Sequence, residues 1–201
     1  MRRFIAGLLV VLLAGCATIP PTAVRYPQRV WRTHRARMMA IRRFRVSAQS
    51  GVHAGHHGGT LALHWRVAPT AYQMTGYGPF GRLIFRLRAD AEGARLWTGR
   101  GHFAGASASR LLWRLTGWRL PVAGLRFWIR GIPAPGPVTG RTLDRTGLLA
   151  SLRQDGWTIR YRRYRPTPSG RLPRLLTLTH DVTTGGSPVV VTIRIDRWDV
   201  I

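Results

Sequence analysis

The amino-acid sequence predicts a mainly β domain: a large, curved antiparallel sheet with a few short helices on its apolar side. Three observations predict it. Apolar and polar residues alternate over several runs, the mark of strands with one buried and one wet face. Turn dipeptides fall between those runs, so successive strands join by hairpins and pair antiparallel. Helical spacing of apolar residues is confined to short stretches bounded by Ser, Pro and Gly.

The chain starts with Met1-Arg2-Arg3 and the apolar run Phe4 to Ala14. This reads as a cleavable export signal, too short for a permanent span, which needs about 20 residues. The run ends at Leu13-Ala14-Gly15-Cys16, a branched residue, two small residues and a cysteine. That matches the lipobox of bacterial lipoproteins, where small residues admit the peptidase and the thiol receives diacylglycerol. Cys16 is the only cysteine, which rules out a disulfide framework and makes it the expected lipid anchor. Residues 1–15 are expected to be the signal peptide and 16–28 the lipidated cysteine and an extended tether carrying Pro20, Pro21 and Pro27. Residues 29–201 are expected to form one β-domain.

Within that domain Trp31 to Ile41 is helix-compatible, and then the period changes to two. Leu61, Leu63, Trp65 and Val67 alternate with Ala62, His64 and Arg66. Leu83, Phe85 and Leu87 face one way and Arg82, Arg86 and Arg88 the other, and Tyr72 to Tyr77 is a further strand-like run. Trp157, Ile159 and Tyr161 form another set, and Val189, Val191, Ile193 and Ile195 the last. Asp155-Gly156 predicts a tight hairpin after Leu148–Gln154, because both residues tolerate positive φ. Gly51 to Gly59, Ala91 to Gly93 and Thr184 to Ser187 are expected as loops. Ser107 can cap a helix through Thr116, with Gly117 as its stop. Pro121 can begin a second, carrying Leu125, Trp128 and Ile129 and ending at Gly131.

The formal charge is +25, and every basic side chain is arginine. Much of this is what a GC-rich genome produces, and the rest suits attraction to an anionic surface. Nucleic acid is the usual partner of so basic a chain, and export with lipidation argues against it here. His53, His56, His57 and His64 form the one metal-like cluster, without cysteine or carboxylate to complete a site, so no metal is expected. Gly105 to Ser109 lacks the closing glycine of a hydrolase elbow. Gly76 to Gly81 is followed by no lysine and is not a nucleotide loop. The seven acidic residues include no acid/base pair by spacing. No catalytic residue and no cofactor are expected.

One set of motifs runs through the chain in a fixed order: Gly78-Pro79-Phe80-Gly81, Leu115-Thr116-Gly117-Trp118-Arg119-Leu120-Pro121, Leu125, Trp128, Arg130-Gly131-Ile132-Pro133, Gln154-Asp155-Gly156-Trp157 with Tyr161, Leu172-Pro173 and Arg197-Trp198. With the lipobox, this ordered set resembles the LolB family of outer-membrane lipoprotein receptors. The chain is more basic than that family's pattern, and Phe80 stands where the loop tip is often leucine. The resemblance implies an incomplete, half-open antiparallel β-barrel of about eleven strands with helices across its opening.

The resemblance further implies a lipid-anchored receptor on the periplasmic side of the outer membrane, acting as a monomer. Its partners would be the periplasmic carrier LolA, acylated lipoproteins and outer-membrane phospholipid. The expected acyl-chain cavity is lined by Leu61, Leu63, Trp65, Leu83, Phe85, Leu125, Trp128, Ile129, Trp157, Ile159 and Ile193. The loop of Gly78, Pro79, Phe80 and Gly81 is the expected point of membrane insertion, the alternative being that Phe80 folds back onto the sheet. The competing expectation is a structural outer-membrane lipoprotein whose apolar face is a packed core.

Overall fold

The computed structural model describes residues 23–116, 122–180 and 187–201. Cys16, the leader, Gly117 to Pro121 and the turn at Thr184 lie outside them. Helix α1 (Pro27–Ala40) precedes six strands, β1 (Phe44–Ala54), β2 (His57–Val67), β3 (Tyr72–Tyr77), β4 (Leu83–Asp90), β5 (Gly93–Thr98) and β6 (Gly101–Gly105). Helices α2 (Ala108–Thr116) and α3 (Val122–Trp128) follow. The chain then forms β7 (Gly140–Leu143), β8 (Leu149–Gln154), β9 (Trp157–Thr167), β10 (Gly170–His180) and β11 (Val189–Val200).

The eleven strands make one sheet in the order β6-β5-β4-β3-β2-β1-β11-β10-β9-β8-β7, with the paired strands antiparallel. Two meanders are joined by the β1–β11 seam, which runs from Phe44↔Val200 to Ala54↔Val189. β6 and β7 are the two edges and do not pair, so the sheet is an incomplete barrel. The segment connecting them must cross the gap, and it carries α2 and α3.

Several elements follow the local signals. Asp155 (φ 54) and Gly156 (φ 75) both sit in the left-handed region, as the β8–β9 hairpin requires. The Arg110 amide donates to Ser107 Oγ at 3.4 Å at the start of α2, and Gly131 has the positive φ (74) of a helix stop. Helix α1 starts at Pro27, four residues before Trp31. A proline there loses nothing, since a first-turn amide has no partner within the helix.

One expected loop is absent. Gly51 to Gly59 is strand except at its centre, where Gly55 (φ 59) turns the chain. The ladder continues through Val52↔Gly59 and His53↔Gly58. Gly58 is required there: a Cβ would stand 2.7 Å from both His53 Nδ1 and the Val52 carbonyl oxygen.

The interior is filled at one end. Phe44 and Val46 at the start of β1 and Trp65 and Val67 at the end of β2 are buried, with Phe44 edge-on to Trp65 at 6.2 Å. Arg130 is also buried here; its guanidinium donates to the carbonyls of Met38 (2.6 Å) and Ile41 (2.5 Å), tying the exit from α3 to the end of α1. Burial, with Arg126 adding, lowers its pKa to about 10, so it remains a cation at neutral pH. Gln154 accepts from the Trp128 indole and the Ala134 amide, both at 2.9 Å, and donates to the Ala134 carbonyl at 2.8 Å. These bonds hold the segment after α3 onto β8.

His34 of α1 is buried beside Trp31 and Tyr164. Burial, then Arg37 and Arg171, push its imidazole down from 6.5 to about 4 against the pull of Asp144. The folded protein therefore holds it neutral, a contribution complete above pH 6.5 and lost as pH falls toward 4. That loss is about 3 kcal/mol. Urea unfolding at pH 7 and pH 4 is expected to show it in the wild type, and His34→Leu to lack that part of the slope. Equal slopes would mean His34 titrates as in the unfolded chain.

Candidate functional site

The other end of the sheet is not filled. A cavity of about 860 Å³ lies between the sheet and the two helices of the β6–β7 connection, near the top of the range of about 300–1,000 Å³ for ligand sites. Its walls are Ser50 and Val52 of β1, Leu61 and Leu63 of β2, Met74 of β3, Ile84, Phe85 and Leu87 of β4, Leu178 of β10, and Val191 and Ile193 of β11. Leu112 of α2 and Val122 and Leu125 of α3 roof it, and His57 to Thr60 complete the lining.

Small residues at inward positions leave this space open. Ser50 pairs with Leu61 on one side and with Ile193 on the other, so a serine stands in an aliphatic row. Gly59 continues the inward set of Leu61, Leu63 and Trp65, and a Cβ built on it meets nothing within 4 Å. Gly76 pairs with Phe85, whose ring lies so close above it that a Cβ would stand 2.3 Å from the ring edge. The ring is thereby laid against the wall instead of across the lumen.

The expected lining residues divide accordingly. Leu61, Leu63, Phe85, Leu125 and Ile193 line the cavity. Trp65, Trp128, Ile129, Trp157 and Ile159 point inward too, but are fully buried in the packed part of the interior. Leu83 lies at the rim, 46 % exposed. Ser50, Val52, Gly59, Met74, Leu178 and Val191 belong to the lining beyond the expected set; the inward parity of the strands and the small residues at 50, 59 and 76 are the signals that point to them.

Phe80 sits on the β3–β4 loop with φ 58 and ψ 23 and is 108 % exposed, so it does not fold back onto the sheet. The Gly78 amide donates to the Arg82 carbonyl at 2.8 Å and pinches the loop beneath it. A left-handed aromatic costs about 1–2 kcal/mol, and strain of this kind concentrates at functional positions. Pairings Ala62↔Tyr77 and Phe85↔Thr98 put this loop and the β5–β6 turn at the cavity's end of the sheet.

A second space, about 820 Å³, lies between α1 and residues 133–138 and is lined by Arg32, Arg35, Arg141 and Trp31. Ala36, Pro133, Ala134, Pro135 and Val138 complete its lining, so it is less apolar than the cavity under the helices and its arginines suit anions. The histidines do not gather: His57 lines the cavity, His53 abuts Gly58, and His64 packs edge-on to Tyr77 at 5.6 Å.

The family model for outer membrane lipoprotein LolB matches residues 42–198. The chain belongs to the LolB family. Its LolB relatives include an outer-membrane lipoprotein of Pseudomonas aeruginosa PAO1, 33 % identical over 202 residues that cover 98 % of this chain and 96 % of that protein. Another, from Pseudomonas putida KT2440, is 32 % identical over 203 residues, covering 98 % and 96 %. Among solved structures, a LolA superfamily protein from Nitrosomonas europaea superposes with a TM-score of 0.52 at 11 % identity, covering 85 % of this chain and 93 % of that one. A DUF1329 family protein from Desulfovibrio piger gives 0.51 at 6 % identity, covering 87 % and 93 %. At these identities the two structures share a fold with the LolB chain.

Proposed function

We propose that this chain is an outer-membrane lipoprotein receptor that accepts acylated lipoproteins from the carrier LolA, shelters their acyl chains and inserts them into the outer membrane. The observation that carries the reading is the apolar cavity of about 860 Å³ in a sheet that does not close. A structural lipoprotein with a packed core needs no such space.

The physical problem is solvation. Each CH₂ kept from water is worth roughly 0.8 kcal/mol, so an acyl chain of about sixteen carbons costs on the order of 10 kcal/mol to expose. A lipoprotein with more than one chain does not diffuse free through the periplasm. Leu, Ile, Val and Phe walls replace the bilayer during transit, and transfer runs downhill in affinity from carrier to receptor to membrane. Cys16, carrying diacylglycerol after removal of residues 1–15, keeps the receptor beside its target on the periplasmic face, and the expected link of residues 16–28 gives up its last two, Pro27 and Gln28, to helix α1 of the domain. Phe80 enters the leaflet. A monomer suffices, because every wall of the cavity comes from one chain.

A leaderless Cys16→Ala protein is expected to bind an apolar fluorescent dye at micromolar concentration or below, and acylated lipoprotein to displace it. Dye fluorescence that rises only on unfolding would mean a filled interior and the end of the receptor reading.

A further inference from the structure

A second apolar space opens beside the Phe80 loop. It measures about 590 Å³ and is lined by Leu83, Leu96, Phe103 and Leu115, with Arg82 and Arg100 beside them. Ile84, Phe85 and Leu112 face both this vestibule and the main cavity, so only side chains divide the two. Leu83 and Leu115 are 46 % and 38 % exposed, and Arg82 and Leu83 follow Phe80 closely in the chain. An apolar path thus runs from the cavity to the exposed aromatic.

Two arginines flank its outer end. Arg82 ends the Phe80 loop and Arg100 sits on the β5–β6 turn, both exposed. Among the described residues the ion pairs are Arg95–Glu92 and Arg194–Asp196, so neither Arg82 nor Arg100 is neutralised by a carboxylate there. A guanidinium fork matches a phosphate, and a positive rim around an apolar opening complements the head and tail of an anionic phospholipid.

We propose that this vestibule is the port through which acyl chains leave the cavity for the membrane, with Arg82 and Arg100 holding the phosphate of an anionic phospholipid at its mouth. The proposal rests on the receptor reading and adds a route and a headgroup chemistry. Loading and unloading then use different openings. Cargo enters the cavity beneath the lid, and it leaves past Phe85 along a surface that stays apolar up to the leaflet Phe80 touches.

Gly99 provides the test. It lines the vestibule and not the main cavity, its φ is outside the left-handed region, and a Cβ there meets nothing within 4 Å. Gly99→Trp places an indole in the port without displacing packed atoms. The lipid-anchored protein, loaded from the carrier with labelled lipoprotein, is mixed with phosphatidylethanolamine vesicles with or without phosphatidylglycerol. Gly99→Trp is expected to load like the wild type and to deliver at least about tenfold more slowly to both. Arg82→Glu with Arg100→Glu, a surface change that leaves packing alone, is expected to slow delivery to the phosphatidylglycerol vesicles by about twenty-fivefold or more, at roughly fivefold for each basic side chain removed, and to leave the others within about twofold. Unimpaired delivery by Gly99→Trp, or reduced loading in equal measure, overturns the port. Equal slowing on both vesicle types by the arginine pair overturns the headgroup interaction. A wild type that takes up no lipoprotein overturns the receptor reading itself.

Discussion

Phe80→Glu is expected to leave uptake from the carrier within about twofold and to cut delivery into outer-membrane vesicles by tenfold or more. Phe80 touches nothing that the fold needs, and surface changes of that kind stay within about 0.5 kcal/mol. A phenylalanine moved from water into an apolar medium gains about 1.5–3 kcal/mol, roughly ten- to a hundredfold in partition, and the carboxylate adds repulsion from anionic headgroups. Phe80→Leu is expected to keep delivery, because any apolar probe serves. Phe80→Asn is expected to raise stability by up to about 1 kcal/mol while losing delivery, since asparagine accepts the left-handed backbone that phenylalanine resists. Measured together, uptake and delivery separate the cases. Equal loss in both would assign Phe80 to the fold or the cavity, and no loss in either would leave it a passive surface residue.

Gly59→Trp is expected to weaken dye and lipoprotein binding by at least about tenfold with the unfolding temperature unchanged. The position faces inward on β2, its Cβ direction is empty, and the backbone accepts any residue. An indole there occupies space that cargo needs, and each displaced CH₂ costs roughly 0.8 kcal/mol of binding. Undiminished dye binding would move the dye elsewhere, the arginine-lined groove beside α1 being the first place to look.

Alternation at 61–67 and 189–195 marks strands because one face of each is largely buried and the other more exposed. The Asp155-Gly156 hairpin is legible because its backbone geometry admits few residue types. β10 is harder to read: Pro173 and register shifts at Leu175 and Leu176 break its alternation, so that Leu172 and Pro173 are both buried. The Gly51–Gly59 stretch has the composition of a loop and the hydrogen bonds of a ladder. The half-open barrel itself rests on the family resemblance, since nothing local tells a strand how far its sheet will curl.

For the site, parity identifies what faces inward but not what faces empty space. Trp65, Trp128 and Trp157 point inward and are buried: Trp65 packs edge-on to Phe44, the Trp128 indole donates to Gln154, and Trp157 packs edge-on to His180, partners that the local sequence does not announce. Leu63 and Ile193 point inward where nothing large stands opposite. Phe80 is readable as an exposed tip because Pro79 and the flanking glycines dictate a turn.

The two edge strands are neighbours in the chain and opposites in the sheet, so residues 106–139 are strung between them as a bowstring is strung across a stave. Bending and stringing are then a single coordinate. If the sheet flattens to take a thicker load, its tips move apart and the helices on the string are drawn off the mouth. If the helices settle, the stave curls. No hinge is needed, and no signal has to pass from strand to lid. The end of the string that follows α3 is tied to β8 at Ala134 and Thr139, so it is the α2 end of this one connection that any widening has to move.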